Sequence, residues 1–168
     1  MSAVPNSPRL LSDEAYRLID KALAKYPNDQ KLSAVMAALA IAQDELGWCS
    51  QPAIDDIARY IGVAPMAVWE VATFYNMFDT KPIGKYKISV CTNLPCALSG
   101  GERAAQYLRA KLGIDYKETT QDGQFTLIEG ECMGACGDAP VLLVNNKRMC
   151  SFMSDERLDG LLAELRKE

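Results

Sequence analysis

Four of the six cysteines fall into two tight pairs, Cys91 with Cys96 in CTNLPC and Cys132 with Cys136 in CMGAC. The chain contains no histidine, which excludes Cys/His zinc sites, the Rieske centre and every His-based catalytic dyad. Thiolates are therefore the candidate ligands. Four residues separate the first pair and three the second, whereas structural zinc usually prefers two. Two separate two-cysteine loops suit a [2Fe-2S] cluster, in which each iron takes two thiolates.

The residues around the two pairs fit an inorganic ligand of this kind. Gly100 and Gly101 follow the first pair, and further glycines interleave with the second in IEGECMGACGDAP. Glycine lets the backbone approach a ligand closely and turn its N–H groups toward it. Neither cysteine loop carries Lys or Arg, while Glu129, Glu131 and Asp138 flank the second pair. Because nearby negative charge disfavours adding an electron to an anionic cluster, we expect a low reduction potential.

Other uses of the cysteines remain open at this point. A four-cysteine zinc site has the right ligand type, although the loops are longer than usual. A secreted disulfide framework is disfavoured by the low cysteine density and by an opening, MSAVPNSPRLLSDE, without the apolar core of a signal peptide. A thiol–disulfide enzyme would need a CxxC pair, which the sequence lacks. Cys49 and Cys150 stand alone and are interpreted as small buried apolar residues.

Length and charge exclude several classes of protein. The chain has 168 residues, 49% of them hydrophobic, which is enough for one good core or two small ones. A net charge of -4, without a basic stripe interleaved with aromatics, argues against nucleic-acid binding. No apolar run approaches the roughly 20 residues that a membrane helix requires. We therefore expect any connection to a membrane to pass through a partner.

The sequence pattern changes near residue 80 and divides the chain into residues 1–81 and 82–168. The first part is typical of a small bundle of short helices. These helices are predicted in SDEAYRLIDKALAKY, KLSAVMAALAIAQDELG, QPAIDDIARYIG and PMAVWEVATFYNMF. Ser12 is the predicted cap of the first helix, and Gly47 and Gly62 are the predicted ends of the next two. One face of the second helix is predicted to hold Leu32, Val35, Met36, Leu39 and Leu46.

The second part is predicted to be a compact α/β layer. YKISV is a strand that ends at Cys91, and SGGERAAQYLRAKLG is a helix opened by a capping box of Ser99 and Glu102. DYKETT and QFTLIEG form a first hairpin around QDG, and APVLLVNNKRMCSF forms a second around the Asn pair at 145–146. A last helix follows its cap, Ser154. Both cysteine pairs are thus expected on loops at strand ends.

These motifs together resemble a known family. CTNLPC, followed by CMGACGDAPVLLVN and preceded by WEVATFYNMF, resembles the 24 kDa (E) subunit family of NADH:quinone oxidoreductase, respiratory complex I. The resemblance covers nearly the whole chain, from about Ser12 to Leu165. It implies an α+β fold, in which a small N-terminal helical bundle precedes a thioredoxin-like α/β [2Fe-2S] domain. It also implies that the cluster ligands are Cys91, Cys96, Cys132 and Cys136.

The same resemblance implies partners and a role. The expected partner is an NADH-binding flavoprotein subunit that carries FMN, within the wider peripheral arm of complex I, and the helical bundle is expected to dock on it. The sequence has neither GxGxxG nor GxxxxGK, so NADH chemistry is expected on another polypeptide and this chain is expected to carry electrons. Small subunits of NAD-linked hydrogenases and formate dehydrogenases belong to the same family and are the alternative. The chain is expected to be cytoplasmic and peripheral to the inner (plasma) membrane through its complex.

An aromatic group near the end of the fourth predicted helix has two interpretations. Trp69, Phe74, Tyr75 and Phe78 are either core residues of the bundle or an interface with the flavoprotein. Helical spacing places Trp69 on one face and Phe74 with Phe78 on another. Both interpretations can therefore hold in part.

Overall fold

The computed structural model describes residues 9–167, and the chain divides into a helical unit that ends at Pro82 and an α/β unit that begins at Ile83. Within the described residues there are seven α-helices and one four-stranded sheet that mixes parallel and antiparallel pairs, which confirms the predicted α+β class. In the same residues, no helix has the length and apolar character needed to cross a membrane.

Four α-helices make up the described part of the helical unit. They are α1 (Asp13–Leu23), α2 (Val35–Leu46), α3 (Gln51–Ile61) and α4 (Pro65–Phe74). Ser12 caps α1 as predicted, because its hydroxyl accepts a hydrogen bond from the backbone N–H of Ala15 at 3.2 Å. Gly47 and Gly62 end α2 and α3 in the left-handed conformation, also as predicted. The helices share one core of fully buried side chains, which includes Ile19, Leu39, Ile54, Ile57 and Val68.

The buried face of α2 differs from the prediction. Residues Lys31–Ala34 form a 3-10 turn, whose tighter winding turns Leu32 away from the α-helical face and leaves it 57% exposed. Met36 is exposed as well. The face that packs into the core holds Val35 and Leu39, as predicted, together with Ala38 and Ala42. Leu46 packs against this core as well, so the hydrophobic spacing was wrong only at Leu32 and Met36 and missed the two alanines.

The aromatic group near the end of α4 separates into buried and exposed members. The helix ends at Phe74, four residues before the predicted end. Phe78 is buried and Trp69 is half-buried against the core, as the packing interpretation predicts. Phe74 is 79% exposed and stacks edge-on against Tyr75.

The α/β unit is a mixed sheet that shares its core with two of its helices. Its strands are β1 (Tyr86–Cys91), β2 (Phe125–Gly130), β3 (Leu142–Val144) and β4 (Arg148–Cys150), in the order β2-β1-β3-β4. Its helices are α5 (Leu94–Leu98), α6 (Gly101–Leu112) and α7 (Asp155–Leu165). β1 is buried along its whole length and pairs in parallel with β2 and antiparallel with β3. Alternate residues of β1, beginning with Tyr86, share a core with Leu108 of α6 and Leu158 of α7.

The turn and the helix caps predicted in this unit were confirmed in part. Asn145 and Asn146 take positive φ angles of 51° and 56° at the turn between β3 and β4, and Ser154 caps α7, as predicted. The capping box of Ser99 and Glu102 was wrong. The short helix α5, which was not predicted, ends just before Ser99, and Gly100 is the N-cap of α6 in a left-handed conformation.

The first predicted hairpin was also wrong in its first arm. Only β2 is a strand there, and it pairs with β1 in parallel. The preceding segment contacts β2 through one isolated bridge, between Thr119 and Thr126, and through backbone hydrogen bonds such as Thr120 N–H to Phe125 C=O at 2.8 Å. The segment 115–120 carries several charged residues and lies mostly exposed, so it lacks the apolar alternation of a paired strand.

Candidate metal centre

Both cysteine loops leave the sheet at the same edge. β1 ends at Cys91 and β2 ends at Gly130, and these two residues are partners in the register of the parallel pair. Because parallel strands have their carboxyl ends on the same side, the loop that holds Cys96 and the loop that holds Cys132 and Cys136 begin side by side. The sequence predicted that both pairs lie at strand ends, and the topology brings those ends together.

The first cysteine pair is buried. Cys91 and Cys96 are each 1% exposed and pack with Val141, which precedes β3. Cys96 lies in α5, and the thiols of the two cysteines share a hydrogen bond. The backbone N–H of Cys91 donates to the carbonyl of Val141 at 3.1 Å. The short helix thus returns the first loop, so that both of its cysteines are buried in one small cluster.

Burial raises the pKa of the Cys96 thiol to about 11, with the hydrogen bond and the charge of Cys91 adding to the effect. The charge of Cys136 adds a smaller contribution in the same direction, and a backbone hydrogen bond of Val141 acts against it. Without a cation, Cys96 is therefore a neutral thiol at neutral pH. Metal binding at this residue requires loss of that proton, so affinity should fall as the pH falls.

The second cysteine pair lies on a more open loop. Cys132 and Cys136 are exposed, and Cys136 opens a 3-10 turn that ends at Asp138. Met133 and Ala135 of this loop pack against the buried first pair. Among the described residues, no group of three or more His, Cys, Asp or Glu side chains is close enough to hold a metal ion. The structure thus joins Cys91 with Cys96 and places the other two thiols on the adjacent loop.

A glycine contact fixes the backbone of the first loop. A Cβ atom added at Gly101 would lie 2.7 Å from the carbonyl oxygen of Cys91 and 2.8 Å from that of Cys96. No real side chain tolerates such distances to backbone atoms, so only glycine fits here. The first turn of α6 therefore lies directly against both cysteines of the pair.

Hydroxyl groups connect the loops to acidic residues beside the second pair. Thr92 donates to the carboxylate of Glu129 at 2.8 Å, and Ser151 donates to the carboxylate of Asp138 at 3.0 Å. Sequence reasoning identified Glu129 and Asp138 but missed the two hydroxyl partners. Thr92 lies 37 residues from Glu129 in the chain, and only the pairing of β1 with β2 reveals that they meet.

The two remaining cysteines are buried, as predicted. Cys49 is fully buried in the core of the helical unit, and its thiol donates to the carbonyl of Leu39 at 3.7 Å. Cys150 belongs to β4, and burial raises the pKa of its thiol. Both side chains fill space in an apolar core.

The chemistry of the site fits a [2Fe-2S] cluster. Each of the two loops offers two thiols, which is the ligand set that two iron atoms require. Burial of Cys91 and Cys96 keeps water from one half of such a site, and the close contact of Gly101 holds their backbone in place.

This α+β chain presents two two-cysteine loops at the shared end of two parallel strands. The chain belongs to the thioredoxin-like [2Fe-2S] ferredoxin family, whose pattern matches residues 19–166. This result confirms the resemblance and the thioredoxin-like assignment made from the sequence.

Curated relatives cover most of the chain. It is 39% identical over 154 residues to NADH-quinone oxidoreductase subunit 2 of Thermus thermophilus, and the match spans 92% of this chain and 85% of the relative. It is 42% identical over 148 residues to the E subunit of NADH-quinone oxidoreductase from Rickettsia felis, with 88% of each chain covered. The E 2 subunit of the same enzyme from Rhizobium meliloti is 43% identical over 148 residues, which cover 88% of this chain and 86% of the relative.

A solved structure has the same fold. NAD+-reducing [NiFe]-hydrogenase in its H2-reduced state matches with a TM-score of 0.67 and 22% identity. The match covers 77% of this chain and 22% of the hydrogenase chain. At this identity, the likeness establishes the fold alone.

Proposed function

We propose that this chain is the electron-transfer subunit of an NADH:quinone oxidoreductase and exchanges electrons with the FMN of an NADH-oxidising flavoprotein subunit. The observation that carries the proposal is the meeting of two two-cysteine loops at the carboxyl ends of β1 and β2, in a chain of the [2Fe-2S] family. The names of the three curated relatives described above, each a subunit of NADH-quinone oxidoreductase, support the choice of complex.

We assign one iron to Cys91 with Cys96 and the other to Cys132 with Cys136. A [2Fe-2S] cluster, when bound, accepts and donates one electron at a time. The chain's own residues bind and shield it. The buried first pair excludes water, whereas the exposed second pair faces outward, where a partner can approach. Distance to the partner and local charge are then set by the protein.

NADH oxidation itself is assigned to the partner. The sequence has no phosphate-binding glycine motif, and the cysteine loops contain no Lys or Arg to hold the phosphates of a dinucleotide. The chain therefore contributes to an oxidoreductase as a carrier. We assign it to the cytoplasmic side of the inner (plasma) membrane, attached through the peripheral arm of the complex.

The helical unit is proposed to dock on the flavoprotein. Large apolar side chains remain exposed on α4, with Phe74 at 79% and Met66 at 64%. Exposed apolar side chains that form one patch are typical of an interaction surface, and we assign these residues of α4 to such a patch. Phe78, which is buried, and Trp69, which is half-buried, pack in the core of the helical unit.

Reduction by NADH tests this assignment. The cluster-loaded chain is mixed with NADH, alone or with a purified NADH-binding flavoprotein subunit that carries FMN, and the visible absorption is followed. We expect bleaching only when the flavoprotein is present. Bleaching by NADH alone would contradict the assignment of NADH oxidation to the partner. An absence of bleaching with the flavoprotein would contradict the proposed electron exchange.

A second candidate is the equivalent small subunit of an NAD-linked hydrogenase or formate dehydrogenase, which the sequence resemblance includes and with which the shared fold is compatible. The two candidates differ in the complex that surrounds the chain. Purification of the tagged chain under mild conditions identifies that complex by its other subunits. Quinone-reductase subunits support the first proposal, and hydrogenase or formate dehydrogenase subunits support the second.

A further inference from the structure

The carboxylate of Glu129 accepts a hydrogen bond from the residue that follows the first cysteine ligand. Thr92, the residue after Cys91, donates its hydroxyl to Glu129 at 2.8 Å. Cys91 pairs with Gly130 in the parallel register, so Thr92 and Glu129 lie where each loop leaves the sheet. One hydrogen bond therefore connects the first residue after β1 with the penultimate residue of β2.

This hydrogen bond joins a hydroxyl donor to a carboxylate acceptor. A hydroxyl that donates to an ionised carboxylate makes a stronger bond than one between neutral groups. Thr92 is half-buried, and its β-branched side chain has few rotamers, so the donor is already oriented. Glu129 is exposed and, without the bond, would move freely in water. Thr92 thus fixes the position of the Glu129 carboxylate.

A fixed negative charge opposes reduction at this edge of the sheet. A four-thiolate [2Fe-2S] site is anionic, and adding one electron makes it more negative by one charge. We propose that Thr92 is a positioning residue that holds the Glu129 carboxylate at the carboxyl ends of β1 and β2, and that the held charge lowers the reduction potential of the site. This inference rests on the proposed function, because it assumes a cluster on the four cysteines.

Three substitutions in the full-length, cluster-loaded chain distinguish the effect of the Glu129 charge from the effect of the Thr92 hydrogen bond that holds it. Glu129→Gln keeps an acceptor for the Thr92 hydroxyl and removes the charge. Thr92→Val keeps the shape and removes the donor, and Thr92→Ser restores a donor. The midpoint potential of each variant is measured by redox titration with electron paramagnetic resonance, at low and at high salt, and the double variant Thr92→Val with Glu129→Gln completes a cycle.

The expected pattern is specific. Glu129→Gln raises the midpoint potential, Thr92→Val raises it by a smaller amount, and Thr92→Ser stays close to the parent chain. In the Glu129→Gln background, Thr92→Val has no further effect. The shift shrinks at high salt because the carboxylate is exposed to screening ions. A purely structural role for the hydrogen bond would not produce this salt dependence.

Two results would overturn the inference in distinguishable ways. If the parent chain shows the [2Fe-2S] signal but Glu129→Gln leaves its potential unchanged, the charge does not act on the site. The same conclusion follows if Thr92→Val shifts the potential equally with and without the charge. If the parent chain shows no [2Fe-2S] signal, the proposed function fails and this inference fails with it. Far-UV circular dichroism of each variant verifies that the fold is retained.

Discussion

Gly101 shows how strongly a single position can constrain the candidate centre. Its backbone lies against the carbonyl groups of Cys91 and Cys96, where a Cβ atom would approach within 3 Å of both. The neighbouring atoms are backbone rather than flexible side chain, so they cannot move aside without shifting the cysteines. A methyl group here should therefore disturb the ligands themselves.

We predict that Gly101→Ala weakens cluster binding. Overpacking of this kind typically costs about 1–3 kcal/mol of stability, and here the strain falls on the backbone of two ligands. Iron and sulfide per chain should drop, and the cluster-free chain should unfold at lower denaturant concentration. Gly160→Ala in α7 is the control, because among the described residues no atom other than those of its chain neighbours and its own helix backbone lies within 4 Å of the added Cβ. Full iron content in Gly101→Ala would show that the loop tolerates the side chain.

The candidate ligands could be predicted from spacing, but their surroundings could not. Two cysteine pairs with short gaps, in a chain without histidine, indicate a thiolate centre at once. The burial of Cys96 depends on the short helix α5, which Leu94 and Pro95 begin and which carries no apolar periodicity. The contact between Thr92 and Glu129 depends on parallel strand pairing, which local sequence does not encode.

Helix ends were predicted best where one residue decides them. Ser12, Gly62 and Ser154 act through local hydrogen bonds or backbone conformation, and all three were confirmed. The failed prediction at Ser99 and Glu102 involved competition between two helices for the same residues. α5 takes Ser99 as its own C-cap, which leaves Gly100 to start α6.

A buried carboxylate connects two helices of the helical unit. Asp56 of α3 is 2% exposed and accepts hydrogen bonds from the Tyr16 hydroxyl of α1 and from the backbone N–H of Leu10. Arg59 lies 3.1 Å from its other carboxylate oxygen. The Asp56 carboxylate thus accepts from three groups, the Leu10 N–H, the Tyr16 hydroxyl and the Arg59 guanidinium. Without it, these groups would lack this acceptor in the folded helical unit.

We predict that Asp56→Ala destabilises the helical unit by about 3 kcal/mol, because it removes the acceptor of a buried hydroxyl and the partner of the Arg59 charge. Asp55→Ala is the matched control on the same helix. Its exposed carboxylate accepts from Gln51 at 3.0 Å, and its loss should change stability by less than about 0.5 kcal/mol. Denaturant unfolding followed by tryptophan fluorescence measures both, since the only tryptophans, Trp48 and Trp69, lie before Pro82.

Equal losses of stability in the two variants would contradict the role given to the Asp56 carboxylate. An unchanged transition in Asp56→Ala would contradict it as well.

At the scale of the whole molecule, each unit has a core of its own. The helical unit is built around residues such as Ile57, and the α/β unit around residues such as Leu127. Both cysteine loops and all described strands follow Ile83. The residues that would hold the cluster are therefore separate in sequence from the surface proposed to dock on the flavoprotein.

We predict that a fragment beginning near Pro82 retains the [2Fe-2S] absorption spectrum and loses stable association with the flavoprotein in a pull-down. An α/β unit of this size is near the lower range of independently folding domains. The full chain is the positive control for association. Retained binding by the fragment would place the interface on the α/β unit, and loss of the spectrum would show that the helices support the cluster.

The composition of the metal centre tests the central claim most directly. The anaerobically purified chain should contain about two irons and two acid-labile sulfides, and Ala at any one of Cys91, Cys96, Cys132 or Cys136 should abolish or strongly weaken the cluster. Cys49→Ala and Cys150→Ala should keep it, because both thiols lie in apolar cores. One zinc per chain without sulfide, or cluster loss in Cys49→Ala with retention in Cys132→Ala, would contradict the account.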